Sequence, residues 1–246
     1  MGRLIIITGP SCIGKSPLDH ALKRFYPEVR NQLEPLILWN SRDPRPGELD
    51  GVQYHFRSIE KLEELKSNPD FVLIEVRRDT QALNIKELAK KLMKGDVFYE
   101  GNTYMAKLLI ELERIKQFTK TSMFISPLSR EEIQFLNSTE TSEGISNLIT
   151  EIMRRKLLRR TQKQKGILSL KDLENIEVRA KSAYKEMKDA HLFDFVIPNH
   201  DGEDSEHWNS FYYPIGEAKK TLLTVKEIIS QNSSDRTENW EADLLN

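Results

Sequence analysis

A single cysteine, Cys12, has no partner within the chain, which excludes an intramolecular disulfide framework and a multi-cysteine metal site. A basic excess is also missing. Lys and Arg number 37 against 38 Asp and Glu, for a formal net charge of −1 at pH 7, so neither nucleic acid nor an anionic membrane is the expected partner. The apolar run near the start spans only Leu4 to Ile7, far short of a signal peptide or a membrane span; no targeting segment is visible, and the cytoplasm is the expected compartment. His20, His55, His191, His200 and His207 are scattered, with no pair at a spacing that would present two imidazoles to one metal. What remains is a chain of 246 residues, 38% hydrophobic and 30% charged, long enough to bury one sizeable core.

Residues 3–8 (RLIIIT) read as a fully buried strand, because a short β-branched run bounded by Gly and Pro suits the middle of a parallel sheet. Further strands are predicted at Leu36–Trp39, Phe71–Val76, Asp96–Tyr99, Ser122–Ile125 and Phe193–Ile197. They alternate with helical patterns near 58–67, 84–94, 103–117, 143–163, 171–189 and 216–231, which argues for an α/β fold. Residues 40–56 and 200–215 lack periodicity and read as loop or small-lobe material, and the polar end of the chain reads as mobile.

The segment Gly9–Ser16, GPSCIGKS, fits the pattern GxxxxGK[ST] between a predicted strand and helix, the context that gives the motif its meaning. Backbone N–H groups from Gly9, Ser11, Cys12, Ile13 and Gly14 would turn toward a triphosphate, Lys15 would reach its β- and γ-phosphates, and the Ser16 hydroxyl would ligate magnesium. Pro17 departs from the usual hydroxyl residue and has no N–H for the α-phosphate, although proline is tolerated in a first helical turn.

Downstream, SRDPRPGELDGVQYHF (Ser41–Phe56) places Arg42 and Arg45 in a proline-braced turn beside Tyr54, two fork-shaped donors and a hydroxyl suited to a second phosphate. This segment, together with the phosphate loop, resembles the guanylate kinase family and its acceptor-binding signature. The resemblance runs from about Arg3 to Gln231. It extends to DVFYE, whose Glu100 would lie near magnesium and acceptor, and to FISPLSREEI, which resembles the strand and turn before the lid. MRRKLLRR resembles the lid start, matched best at Arg155 and Arg159; IEVRAKSAYKEM matches the following helix at Arg179; and FDFVIPNHDGE places Asn199 next to the adenine. Several base-reading positions depart from the family: Leu38 replaces a hydroxyl residue, the tyrosine pair has no equivalent in RRDTQALN, Asn102 replaces an Asp, and Glu75 reaches the base-reading position only after a shift of about two residues.

The resemblance implies a P-loop parallel sheet flanked by helices, with a small acceptor-binding lobe and a helical lid. The expected division is a domain over 1–232, with core 1–37, 96–150 and 190–232, acceptor lobe 38–95 and lid 151–189, followed by a polar tail at 233–246. The implied activity is ATP-dependent phosphoryl transfer to a nucleoside monophosphate, by default GMP. Lys15, Arg155, Arg159 and Arg179 would be catalytic; Asn199 would join the phosphate loop on ATP; and Arg42, Arg45, Tyr54, Glu75 and Glu100 would hold the acceptor. A same-fold kinase for another phosphorylated acceptor, or a silent binding module, are the rival readings. An intact Lys15 and Ser16 speak against the silent module. The inserts 161–172 and 201–215 carry no assignable role from sequence.

Overall fold

The computed structural model describes residues 1–45 and 47–245. In chain order the elements are β1 (Leu4–Thr8), α1 (Lys15–Phe25), α2 (Pro27–Arg30), β2 (Glu34–Pro35), β3 (Leu38–Asn40), β4 (Tyr54–Phe56), α3 (Ile59–Glu64), β5 (Phe71–Val76) and β6 (Asp79–Asn84). They continue with α4 (Ile85–Lys94), β7 (Val97–Glu100), α5 (Thr103–Glu111), β8 (Lys120–Ser126), α6 (Arg130–Thr139), α7 (Ser142–Lys165), α8 (Leu170–Lys188), β9 (Phe195–Pro198) and α9 (Gly216–Gln231). Five strands form one sheet in the order β2-β7-β1-β8-β9, and four form another in the order β4-β3-β6-β5. The α/β expectation holds.

By its internal contacts the chain divides into two compact units. The first comprises Met1–Ile6, Gln32–Tyr99 and Tyr104–Lys120; the second comprises Ile7–Asn31, Glu100–Thr103 and Thr121–Asn246. In the first, β2 pairs with β7 in parallel, and the bidentate Arg3–Asp96 pair at 2.8–3.0 Å ties the start of β1 to the start of β7. Its mixed sheet is built on the β5–β6 hairpin, with Leu73 opposite Ala82 and Glu75 opposite Thr80. The hairpin turn places Arg77 at φ 62°, a conformation ordinarily left to glycine. The strand β6 was not foreseen from its DTQALN sequence, which lacks a β-branched run; six paired positions on β5 hold it in place.

In the second unit β8 and β9 pair in parallel, register Met123–Phe195 to Ser126–Pro198, with α1 and α9 against each other. Ile7 and Thr8, the part of β1 in this unit, are buried, as a parallel interior strand requires. The insert 161–172 lengthens both helices of a hairpin: α7 runs on to Lys165, Gly166 turns at φ 74°, and Ser169 opens α8 with a reciprocal capping box to Asp172.

The end of the chain differs from the expected mobile tail. Val196 and Glu238 exchange backbone hydrogen bonds at 2.8 and 3.1 Å, and the Glu238 carboxylate accepts from Arg130 N in the first turn of α6 and from the Trp240 indole. Trp240, Leu244 and Leu245 are buried, and the Leu244 and Leu245 carbonyls accept from Asn137 and Tyr184. Three apolar residues dispersed among polar ones give no periodicity, yet suffice once α6, α8 and β9 supply a surface. Replacing Trp240 with Ala should destabilise the fold by about 3 kcal/mol, read as a lower denaturant midpoint. An unchanged midpoint would mean that the tail does not anchor the unit.

Candidate active site

The buried β1 delivers Gly9 at its carboxyl end, where φ 138° and an approach that would leave a Cβ only 2.2 Å from Ile125 O admit no other residue. The loop then passes through Cys12 at φ 71° and Gly14 at φ 102° into α1. Its outer carbonyls are held: Asn199 Nδ2 donates to Ile13 O at 2.8 Å, and Glu203 N donates to Cys12 O at 3.1 Å. A trans peptide points C=O and the following N–H in opposite directions, so drawing these two carbonyls toward residues 199–203 turns the Ile13 and Gly14 N–H groups to the opposite side, where a phosphate would bind. The Lys15 ammonium curls back over the loop, donating to Gly9 O at 2.7 Å and Pro10 O at 2.9 Å.

Ser16 Oγ donates to Glu100 Oε1 at 3.2 Å. Burial, reinforced by the Asp19 carboxylate, pushes the Glu100 carboxyl up to about 7 against the opposing pull of Lys15. A hydroxyl and a carboxylate this close, both hard oxygen donors beside a phosphate loop, fit magnesium, which takes one or two carboxylates and completes its shell with phosphate oxygens and water. Asp19 itself is fully engaged by Arg30 at 2.5 Å and Lys23 at 2.6 Å. Cys12 is buried, and that burial pushes its thiol up to about 12, leaving it a small packing group rather than a nucleophile.

Asn199, expected beside the adenine, is fully buried, with its amide donating to both Ile13 O and Asp201 O. Its work is to set the loop from behind. The insert after it, for which sequence offered no role, completes that backing. The Asp201 carboxylate accepts from Ser205 Oγ, His207 Nδ1 and Ala218 N at 2.8–3.0 Å, while its carbonyl accepts from the Trp208 indole at 2.9 Å. Phe25 meets the rings of Tyr212 and Tyr213 edge-on, and the Tyr26 and Tyr213 hydroxyls stand 2.7 Å apart, so these aromatics pack on the end of α1.

The arginine run of the lid separates into two kinds. Arg154 forks onto Glu177 at 2.7 and 2.9 Å, and Arg160 pairs with Glu203 at 2.9 Å. Arg155 and Arg159 lie exposed on α7, the former donating to Glu151 O at 3.4 Å and the latter 3.7 Å from Asp204. Arg179 is half-buried on α8. That helix is tied internally to the loop strand: the buried Glu186 carboxylate accepts from Ser182 at 2.7 Å and from Thr103 at 3.0 Å, whose hydroxyl lies 3.4 Å from Thr8 Oγ1.

In the first unit, Arg42 forms a bidentate pair with Glu48 at 2.6 and 2.7 Å and lies over the rings of Tyr54 and Phe56 at 5.1 and 5.2 Å. Although burial works against ionisation, these bonds and one from Arg45 N hold the Glu48 carboxyl below its usual range. Arg42 therefore braces the turn that presents the exposed Arg45 side chain. Asp50 accepts from Phe56 N at 2.7 Å and Arg57 at 2.9 Å, closing the turn at Gly51, φ 78°. Glu75 is exposed on β5, whereas Leu38 is buried in the core.

Gly14 tests the backing of the loop, because a Cβ there would meet Asp201 O at 2.8 Å and Asn199 Nδ2 at 2.9 Å. Gly14→Ala should weaken ADP binding about tenfold or more, measured by titration calorimetry, through strain at positive φ and displacement of residues 199–201. Unaltered ADP affinity would show that the backing does not set the loop.

A sequence model of the guanylate kinase family matches residues 1–164. The guanylate kinase of Wolinella succinogenes is 27% identical over 242 residues, covering 96% of this chain and 94% of that protein. The guanylate kinase of Helicobacter hepaticus is 29% identical over 206 residues, covering 81% and 84%. Among solved structures, guanylate kinase from Anaplasma phagocytophilum aligns with a TM-score of 0.54 at 17% identity, covering 96% of this chain and 89% of that one, which speaks for the fold. A loop pinned from behind, an Arg-rich turn closed by Glu48 and Asp50 and a match across most of the chain lead to one conclusion: this chain belongs to the guanylate kinase family of nucleoside monophosphate kinases.

Proposed function

We propose that this chain transfers the γ-phosphoryl group of ATP to GMP, giving ADP and GDP. The observation that carries the reading is the loop itself. Its Cys12 and Ile13 carbonyls are tied outward, Lys15 is poised over Gly9 and Pro10, and Ser16 is paired with Glu100, all in a member of this family.

In the reaction a GMP phosphate oxygen forms a bond to the γ-phosphorus as the bond to the β,γ-bridging oxygen breaks, leaving ADP. Negative charge spreads over the oxygens in transit, so fixed positive charge and positioning do most of the catalytic work. The loop N–H groups hold the nucleotide, and Lys15, released from its own carbonyls, moves onto the β- and γ-phosphates. Ser16 and Glu100 would hold magnesium, which when bound offsets charge on the phosphate oxygens. Arg45 and Tyr54 bind the acceptor phosphate with Arg42, whose fork Glu48 sets in place. Arg155, Arg159 and Arg179 neutralise the moving group, and the exposure of the first two leaves them able to reach it. Glu75 faces the acceptor base.

Two substitutions test the assignment. Lys15→Ala should lower turnover on the order of a thousandfold with a thermal midpoint near that of the parent protein; near-normal turnover would remove Lys15 from the chemistry. Arg45→Ala should raise the Michaelis constant for GMP by about 10- to 100-fold while changing that for ATP little, because its fork faces only the monophosphate. Equal effects on both substrates would place Arg45 outside the acceptor site.

A further inference from the structure

Residues 202–204 belong to neither the phosphate-binding nor the acceptor-binding set, yet they touch both the loop and the lid helix. A Cβ on Gly202 would stand 2.3 Å from Cys12 O, so this segment lies directly against the underside of the loop. Glu203 uses both of its ends: its N–H donates to Cys12 O at 3.1 Å, and its carboxylate accepts from Arg160 on α7 at 2.9 Å. Both side chains of that ion pair are largely buried, at 13% and 16% exposure. Beside it the Asp204 carboxylate, 6% exposed, stands 3.8 Å from Lys156 and 3.7 Å from Arg159, and among the described residues neither Asp204 Oδ1 nor Arg160 Nε has a hydrogen-bond partner.

We propose that Glu203 is a positioning residue that couples the phosphate loop to the base of the lid helix, so that nucleotide in the loop sets where Arg155 and Arg159 stand. This rests on the kinase reading above. The path is short and stiff. Cys12 sits at φ 71°, a conformation that a non-glycine residue keeps only when its surroundings hold it, and Glu203 N is one of the groups holding it. A rotation of the Cys12–Ile13 peptide on nucleotide binding therefore displaces Glu203, and the same residue's carboxylate carries the displacement to Arg160, next in sequence to Arg159. A buried pair transmits such a shift because loss of either partner strands a charge, whereas an exposed pair would simply separate into water. The long, imperfect contacts of Asp204 suit an arrangement that is remade when the lid moves.

The test is a double-mutant cycle on Glu203→Gln and Arg160→Met, read as steady-state kinetics, ADP affinity by calorimetry and thermal midpoint. Glutamine keeps the shape and the Cys12 contact but removes the charge. Each single variant should raise the Michaelis constant for ATP and lower kcat by about tenfold, with the constant for GMP within about twofold of the parent value. The double variant should be no worse than the poorer single one, and ADP affinity should fall in parallel. Should a single variant not fold, the pair Glu203→Met with Arg160→Met replaces the ion pair by apolar groups of similar volume, a change buried pairs often tolerate, and the same kinetic defect is expected. Normal ATP kinetics in any folded variant, with only a lowered midpoint, would overturn the proposal and leave the pair as a stabilising contact; additive single effects would do the same. A parent protein that fails to phosphorylate GMP would count against the kinase reading instead, and the ADP affinities would still decide the coupling.

Discussion

The second unit depends on two hydrogen bonds that hold the outer carbonyls of the phosphate loop, Asn199 to Ile13 and Glu203 to Cys12. A phosphate-binding loop faces an awkward requirement: several N–H groups must point inward with no regular partner, so the matching carbonyls must be satisfied on the other side. Here that other side is built from the segment after β9. Asp201 organises it by accepting from three donors through its carboxylate and two through its carbonyl. Gly14 is needed because this backing comes so close that a Cβ would collide with it, and Gly9 because a Cβ there would collide with Ile125 O on β8.

Charge is distributed on the same logic. A net charge of −1 hides local concentrations of positive charge, most of them already neutralised. Arg30, Arg42, Arg154 and Arg160 are each held by a carboxylate at 2.5–2.9 Å, and these pairs fix the loops and helices on which they sit. Arg45, Arg155 and Arg159 have exposed side chains, and on the proposed reading a polyanionic substrate recruits them. Holding some arginines and exposing others is how a chain of nearly balanced composition can present a phosphate-binding surface.

Much of this was legible in the sequence because it is local. The strand, loop and helix of residues 3–25 announce themselves by a β-branched run, glycines at fixed spacing and an amphipathic repeat, and the turn after β3 by its Arg, Pro and Gly content. What the sequence concealed is nonlocal. The strand β6 exists through its pairing with β5, and the chain end docks through Trp240, Leu244 and Leu245 only because α6, α8 and β9 are there to receive them. The fate of the arginine run could not be read either, because whether Arg154 or Arg155 stays available depends on Glu177, 23 residues away. For residues 201–215 the one usable signal was Asn199 followed closely by Asp201, two short polar side chains able to clasp a backbone.

The measurement that bears most directly on this account is initial-rate release of ADP, coupled to a spectroscopic reporter, across GMP, dGMP, AMP, CMP and UMP at saturating ATP and magnesium. GMP should give the highest kcat/KM, with a margin over AMP, CMP and UMP narrowed by the altered base-reading positions, since a site rejects a base only through the hydrogen-bond partners it retains. Absence of turnover with every monophosphate, or a clear preference for a base other than guanine, would contradict it.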